Sequence, residues 1–341
     1  MKVAFIAHPE LPGGWYRGIG PMVALHARGH EVRQLWAPGS DDLRAGLVAD
    51  CDVLHIHRRH DDEVLQLVRY AHRHGIAVVY DNDDDLSAIP KGNVRHREYG
   101  GRAGDRALRQ IRKLVQSADL VSAPSRVILE RFRGYGAERL ELLENYVPDE
   151  VLRTSGASNG DRVVVGWVAG KEHHADVERM PLRDAVGRLL DAHPQLVVQT
   201  IGLGLGLRHE RYRTVEPVPF AELPAKLAQL DVGLAPIADT PFNRARSNIK
   251  VKEYAALGRP WLASPVAPYA ELGERQGGRL VPDDGWFEAI GRLLEKPRER
   301  RKLAKQARKW GRAQAISANA GLWERALEEA VERAARRLAA A

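Results

Sequence analysis

Two α/β domains, each a parallel sheet wound with helices on both faces, are expected from three features of this sequence. Short runs of Val, Ile and Leu alternate with helical stretches of ten or more residues, the pattern of strands buried on both faces. The alternation halts once, at the polar, Gly- and Ser-rich DEVLRTSGASNGD (149–161), and then begins again. At 341 residues the chain is long enough to close two separate cores.

In chain order, VAFIAH (3–8) reads as the first strand, followed by a Gly-containing loop and the helix PMVALHARGH. EVRQLWA and DVLHIH (52–57) follow as strands, then a helix over 61–74 and the strand IAVVYD (76–81). A helix near 103–117, the strand ADLVSAPS, the helix VILERFRGYG and the segment LELLENY complete the first half. After the linker come RVVVGWVA (162–169), a helix over 181–192, QLVVQTIG (195–202), the helix LPAKLAQL and the strand DVGLAPI. One further helix, the strands RPWLASP and GRLVP, and an Arg-rich helical stretch over 286–338 end the chain. The expected division is 1–148, the linker 149–161, 162–312, and a terminal helix over 313–341 that packs back on the first domain. In open parallel sheets ligands sit beyond the carboxyl ends of the strands, so loops from both halves are expected to face one cleft.

Composition narrows the partners. The single cysteine, Cys51, excludes a disulfide within one chain and fits a reducing cytoplasm, the expected location. No apolar run is long enough to span a bilayer, and MKVAFIAHPE lacks the long apolar core of a signal peptide. The formal charge is +7, and 41 of the 52 cations are Arg. Most of that excess reads as an Ala/Arg bias spread over solvated faces. Two clusters stand apart, 95–113 and 296–312, and leave open a peripheral contact with a membrane surface or with DNA.

The stretch NRARSNIKVKEYAALGRP (243–260) carries the most chemistry. Ordinary helices carry acids in the first turn, whereas this one opens on Arg, Ser, Asn and Lys and is stopped by Gly-Arg-Pro. A basic helix mouth suits an anion, held by first-turn amides. With Ser247 or Asn248 as cap, Lys250 and Arg246 reach the same ligand, and two phosphates fit the charge. Glu253 lies one turn beyond Ile249, where a carboxylate accepts hydrogen bonds from a diol such as ribose. The alternative is a plain Lys250–Glu253 surface pair.

The segment ADTPFNRARSNIKVKEYAALGRPWLAS (238–264) resembles the donor-binding segment of GT-B-fold retaining glycosyltransferases, in particular glycosyltransferase family 4. ADLVSAPSRVILERFRGYGAERLELLENYVP resembles the end of that family's N-terminal domain, with Asn145 before the linker. VVVGWVAGKEHHADV resembles the first strand and loop of its donor domain, and LPAKLAQLDVGLAPI the helix and strand before the donor loop. The resemblance implies two Rossmann-like domains facing a cleft, acceptor side first and nucleotide-sugar side second. It assigns Ser247, Asn248, Ile249 and Lys250, with Lys171, to the diphosphate, and Glu253 to the ribose. The family's E-x7-E pair is incomplete here because its first position is Ala245, and its usual Gly-Arg is Gly166-Trp167.

Gly13 and Gly14, after the first strand, permit a tight turn whose amides approach a phosphate, and Tyr16 and Arg17 are placed on the acceptor side. YDNDDDL (80–86) crowds four carboxylates at a strand end. Asp83 and Asp84 are expected to orient acceptor hydroxyls, with a helix cap of solvated acids or, less favoured, a bound hard cation as the alternatives. Enzymes of the resembled kind need no bound metal, so none is expected. His55, His57 and His60 read as structural histidines rather than a zinc site, whereas His173 faces the cleft on the acceptor side.

The expectation is a glycosyltransferase that moves a sugar from a UDP- or GDP-sugar to an acceptor hydroxyl with retention, with Lys250 and the two aspartates as catalytic groups and no other cofactor. A GT-B sugar-nucleotide epimerase and a nucleotide-sugar-binding protein without turnover are the alternatives. Glycan, lipid-linked sugar, small molecule, protein and modified nucleic acid all stay open as acceptor.

Overall fold

The structure, a computed structural model, describes residues 1–156 and 158–340, with the backbone alone for Arg44, Lys171 and Val177. Two six-stranded sheets form, and every pairing between neighbouring strands is parallel. The first contains β1 (Lys2–Ile6), β2 (Glu31–Leu35), β3 (Val53–His57), β4 (Ala77–Asp81), β5 (Leu120–Ala123) and β6 (Leu140–Leu142), in the order β2-β1-β3-β4-β5-β6. The second contains β7 (Val163–Ala169), β8 (Leu196–Gly202), β9 (Tyr212–Val215), β10 (Val232–Ala235), β11 (Trp261–Ala263) and β12 (Gly278–Leu280), in the order β12-β11-β10-β7-β8-β9.

The longer helices follow the expected alternation: α1 over 12–26, α2 (Asp62–Arg73), α3 (Gly101–Ser117), α4 (Arg126–Gly134) and α5 (Leu182–Ala192). They continue with α6 (Ile249–Ala256), α7 (Trp286–Glu295), α8 (Pro297–Arg312) and α9 (Ile316–Ala339). The central strands are apolar on both faces because helices cover both; β3, β4, β7 and β10 are buried throughout. Strand β9 does not stand out in the sequence. Its YRTV is partly exposed at the sheet edge and is held through its ladder to β8.

Helix α9 crosses back to the first domain. Trp323, Leu327, Ala330 and Ala334 pack with Val3, Phe5, Val53 and Val79 under the first sheet, and Val147 pairs with Ala315 at the crossing. The basic segment 296–312 forms α8, whose Leu303, Ala307 and Gly311 are buried while most of its cations face water. Gly311 is required there, since a Cβ would lie 2.4 Å from the Ala255 backbone of α6. No helix among the described residues is long and apolar enough to cross a membrane.

The domains touch along the carboxyl edges of their sheets. Residues Phe242 and Ala245, from the loop that leads into α6, are buried in the core of the first domain, and the Ser125 hydroxyl donates to the Ala245 carbonyl at 2.6 Å.

Candidate functional site

Helix α6 begins after Asn248, which takes the cap position with φ −86° and ψ 18° and makes no side-chain capping bond. The amides of residues 249–251 therefore point out of the helix mouth with no intrahelical acceptor. The first backbone bond of the helix runs from Lys252 N to Asn248 O. The Ser247 hydroxyl accepts from Asn145 Nδ2 at 2.9 Å across the cleft. Arg246 and Lys250 are about one quarter exposed at this mouth. Ile249 is the apolar floor beside them, 9% exposed.

Glu253 is 3% exposed, one turn into the helix. Its Oε1 accepts from the phenol of Tyr16, which arrives from the first domain. Its Oε2 lies 3.6 Å from Lys250 Nζ and is a buried oxygen without a hydrogen-bond partner. Burial, and then the neighbouring Glu253 charge, push the Tyr16 phenol well above its ordinary range. It stays protonated and donates. Trp15 stacks on Phe220 with ring centres 5.0 Å apart, and Tyr16 meets the same ring edge-on at 5.2 Å. The aromatics of the first domain thus close over the Glu253 carboxylate of the second.

Lys252, indistinguishable from Lys250 by sequence, is buried at 1% exposure and donates to Glu144 Oε2 at 2.8 Å and Asn145 O at 3.0 Å. Burial pulls its pKa down against the Glu144 charge. It joins the domains, leaving Lys250 with Arg246 at the mouth.

In the first domain, β3 and β4 end side by side, with His57 paired to Asp81 in register. Asp83 then folds over this edge. Its Oδ1 meets His57 Nε2 at 2.9 Å and the Arg58 guanidinium. Arg58 also reaches Asp84, whose Oδ2 takes Arg95 at 2.9 Å. Burial would raise the Asp83 carboxyl, but Arg58 and His57 hold it well below the usual carboxylate range. Arg58 adopts φ 62°, a left-handed conformation uncommon outside glycine. The crowded acids are thus separated by cations rather than gathered on one point. Among the described residues no group of three metal-ligating side chains converges.

Gly13 and Gly14 lie in a helix rather than in a separate tight turn. They form the first helical turn of α1 after Leu11 and Pro12, so their amides lie among those a helix leaves free. Gly14 fits because a Cβ would stand 1.8 Å from the His8 carbonyl, and Gly13 because a Cβ would stand 2.8 Å from Asp83 Oδ2. Arg17 is fully buried, and its guanidinium is taken by Asp81, Asn145 and the Leu143 carbonyl. It supports the cleft from beneath rather than lining its acceptor side. Tyr16 likewise faces Glu253 rather than open solvent.

His173 is 5% exposed; its Nδ1 meets Asp176 Oδ2 at 2.8 Å, and Asp176 Oδ1 accepts from the Ala238 amide and Asn243 Nδ2. Burial and then Arg246 lower the His173 pKa. Its neighbour Glu172, passed over in the sequence, lies 3.8 Å from Arg246; burial opposes its ionisation, but Arg246 wins and lowers its pKa. Lys171, expected at the diphosphate, has a side chain outside the described residues.

Comparison with known proteins bears on the fold that carries this site. Residues 181–319 match the model of the family described as Glycosyl transferase-like. The Anabaena protein HepE, crystallised with UDP, aligns at a TM-score of 0.66 with 16% identity over 96% of this chain and 100% of its own. Sucrose-phosphate synthase from Thermosynechococcus elongatus aligns at 0.63 with 15% identity over 95% and 98%. A glycosyltransferase from Rickettsia africae aligns at 0.66 with 12% identity over 97% and 98%. No curated protein matches the chain in sequence. These structural likenesses establish the GT-B architecture of two Rossmann-like domains.

Proposed function

With a glycosyl transferase-like segment at 181–319 set in a GT-B frame, we propose that this protein is a nucleotide-sugar-dependent glycosyltransferase. It moves a sugar from a UDP- or GDP-sugar to an acceptor hydroxyl. The observation that carries this reading is the mouth of α6: free amides, Ser247, Asn248 and the partly exposed Lys250 beside a buried Glu253 with one unpartnered oxygen. That arrangement suits a diphosphate next to a diol. HepE structures that hold UDP and UDP-glucose support the choice of donor class.

In this reading the diphosphate lies against residues 247–250, with the amides of Gly13 and Gly14 also directed to it. Charge grows on its distal phosphate as the bond from the sugar's anomeric carbon to the phosphate oxygen breaks, and a fixed positive site stabilises that state more than the bound donor. The electron pair leaves with the diphosphate. The acceptor oxygen bonds to the anomeric carbon on the same face and gives its proton to a departing phosphate oxygen. Asp83 and Asp84 orient the acceptor, and His173 lies on the acceptor side behind Glu172. No separate base is needed. Position 245 contributes no carboxylate to the sugar, for Ala245 is fully buried against the first domain.

Ala245 also motivates the second reading, a protein that binds the nucleotide sugar without turning it over. Calorimetric titration with UDP, GDP and their sugars tests the first step. Binding is expected in the wild type and weakened about tenfold or more by Lys250→Ala and by Glu253→Ala, the size of a lost charge-assisted contact. Absence of binding by any of these nucleotides, or unaltered affinity in both variants, would sink the assignment. Release of nucleoside diphosphate on addition of acceptors separates transfer from binding alone.

A further inference from the structure

The Tyr16–Glu253 bond joins the two domains at the carboxylate placed on the ribose. Glu253 has two oxygens with different fates: Oε1 takes the Tyr16 phenol, and Oε2 is buried without a hydrogen-bond partner, its nearest charge the Lys250 ammonium 3.6 Å away. A buried carboxylate oxygen left unsatisfied is costly, and a ligand hydroxyl would satisfy it. The phenol has no freedom to do otherwise. Tyr16 is 6% exposed and is pinned by Phe220, which also stacks on Trp15. The carboxylate is therefore held at one orientation by a residue of the opposite domain.

We propose that Tyr16 is the positioning residue of the ribose site. Its phenol fixes Glu253 so that Oε2 meets the ribose diol, and the same bond ties nucleotide binding to closure of the cleft. Tyr16 does not touch the sugar being transferred; it acts through Glu253. The coupling is reciprocal: whatever favours the closed cleft strengthens nucleotide binding, and nucleotide binding favours closure to the same extent. The proposal rests on the nucleotide-sugar reading above and deepens it.

The test uses UDP, or GDP if that binds more tightly, together with its 2′,3′-dideoxy counterpart. Dissociation constants are measured for the full-length wild type, Tyr16→Phe, Glu253→Ala and the double variant, with thermal unfolding to establish that each is folded. In the wild type the ribonucleotide is expected to bind at least tenfold more tightly than the dideoxy form. Tyr16→Phe should reduce that preference severalfold, Glu253→Ala should abolish it, and the double variant should match Glu253→Ala. A residue that merely packs would weaken both ligands equally and leave the preference intact. An undiminished preference in Tyr16→Phe, or losses that simply add in the double variant, overturns the Tyr16 proposal while leaving the function in place. A wild type that binds neither UDP nor GDP overturns the function itself. Should Tyr16→Phe fail to fold, Phe220→Ala, which removes the ring that pins the phenol, is expected to show the same reduced preference, and an undiminished one would overturn the proposal.

Discussion

The Arg17 guanidinium and the Asp81 carboxylate form an ion pair in which neither side chain has any exposure. Arg17 Nε donates to Asp81 Oδ1 at 3.0 Å, and Nη1 donates to Asn145 Oδ1 at 3.1 Å. Asn145 in turn donates to Ser247 at the mouth of α6. A continuous polar chain thus runs from the floor of the first sheet to the mouth of α6 in the second domain. Burial alone would raise the Asp81 carboxyl, but Arg17 reverses the balance and keeps its pKa lowered.

Removing one member of a buried pair leaves the other charged and unpaired. Arg17→Ala is expected to lose about 3–5 kcal/mol of stability, read as a shift of the urea midpoint. Replacing both residues by apolar ones, Arg17→Met with Asp81→Leu, should recover much of that loss. A loss under about 1 kcal/mol for the single variant would show that the pair does not hold the floor of the cleft.

Trp323 on α9 is fully buried among Phe5, Val53 and Val79, with the Arg17 guanidinium 4.9 Å from its ring centre. Trp323→Ala should cost about 3–5 kcal/mol through the cavity it opens. It should also raise amide exchange along β1 and β4, where α9 packs. Exchange rates unchanged in those strands would argue against docking of α9 as a stabilising contact.

His55 lies beside Phe5 and Trp323 with both ring nitrogens unpartnered, and burial drops its pKa to about 3. The unfolded chain takes up that proton near pH 6.5. Since the folded value is depressed, its contribution is complete above pH 6.5 and is lost as pH falls towards 3. The slope attributable to this one group approaches about 1.4 kcal/mol per pH unit between 6.5 and 4. His55→Phe is expected to flatten that limb of the stability curve by about one proton. His72 and His173, whose pKa values are also lowered by burial, retain a residual slope. Equal slopes in wild type and variant would refute the buried neutral histidine.

Asp83 is anchored by His57 and Arg58 at the end of the first sheet, and among the described residues neither it nor these partners bonds to residues 246–253. Asp83→Asn should therefore lower kcat/KM for the acceptor about tenfold or more while leaving the UDP dissociation constant within about twofold. Equal losses in both would place Asp83 in the general integrity of the cleft rather than on the acceptor side.

Much of the frame could be read along the chain. The strands VAFIAH, IAVVYD and RVVVGWVA announce themselves because a strand covered on both faces must be apolar throughout, and composition alone records that. Strand β9 escaped because YRTV lies half in water at an edge, where only its ladder to β8 defines it. Lys250 and Glu253 were legible because helical spacing puts them at a basic mouth. Lys252 was not distinguishable from Lys250, since nothing in IKVKE says which lysine faces Glu144, 108 positions away. His57 reads as structural in the sequence, and only the parallel register of β3 and β4 shows which acid it supports, Asp83.

The order of residues along the chain settled the two-sheet plan and the basic helix mouth, both consequences of periodicity and capping that act over a few residues. Only folding in three dimensions assigned Tyr16 to Glu253, Arg17 to Asp81 and Ala245 to the neighbouring core. Those pairings depend on distances between segments 64 to 237 residues apart in the first two cases. Burial then turns each into a strong interaction, because a polar group removed from water must find its partner wherever the packed chain supplies one.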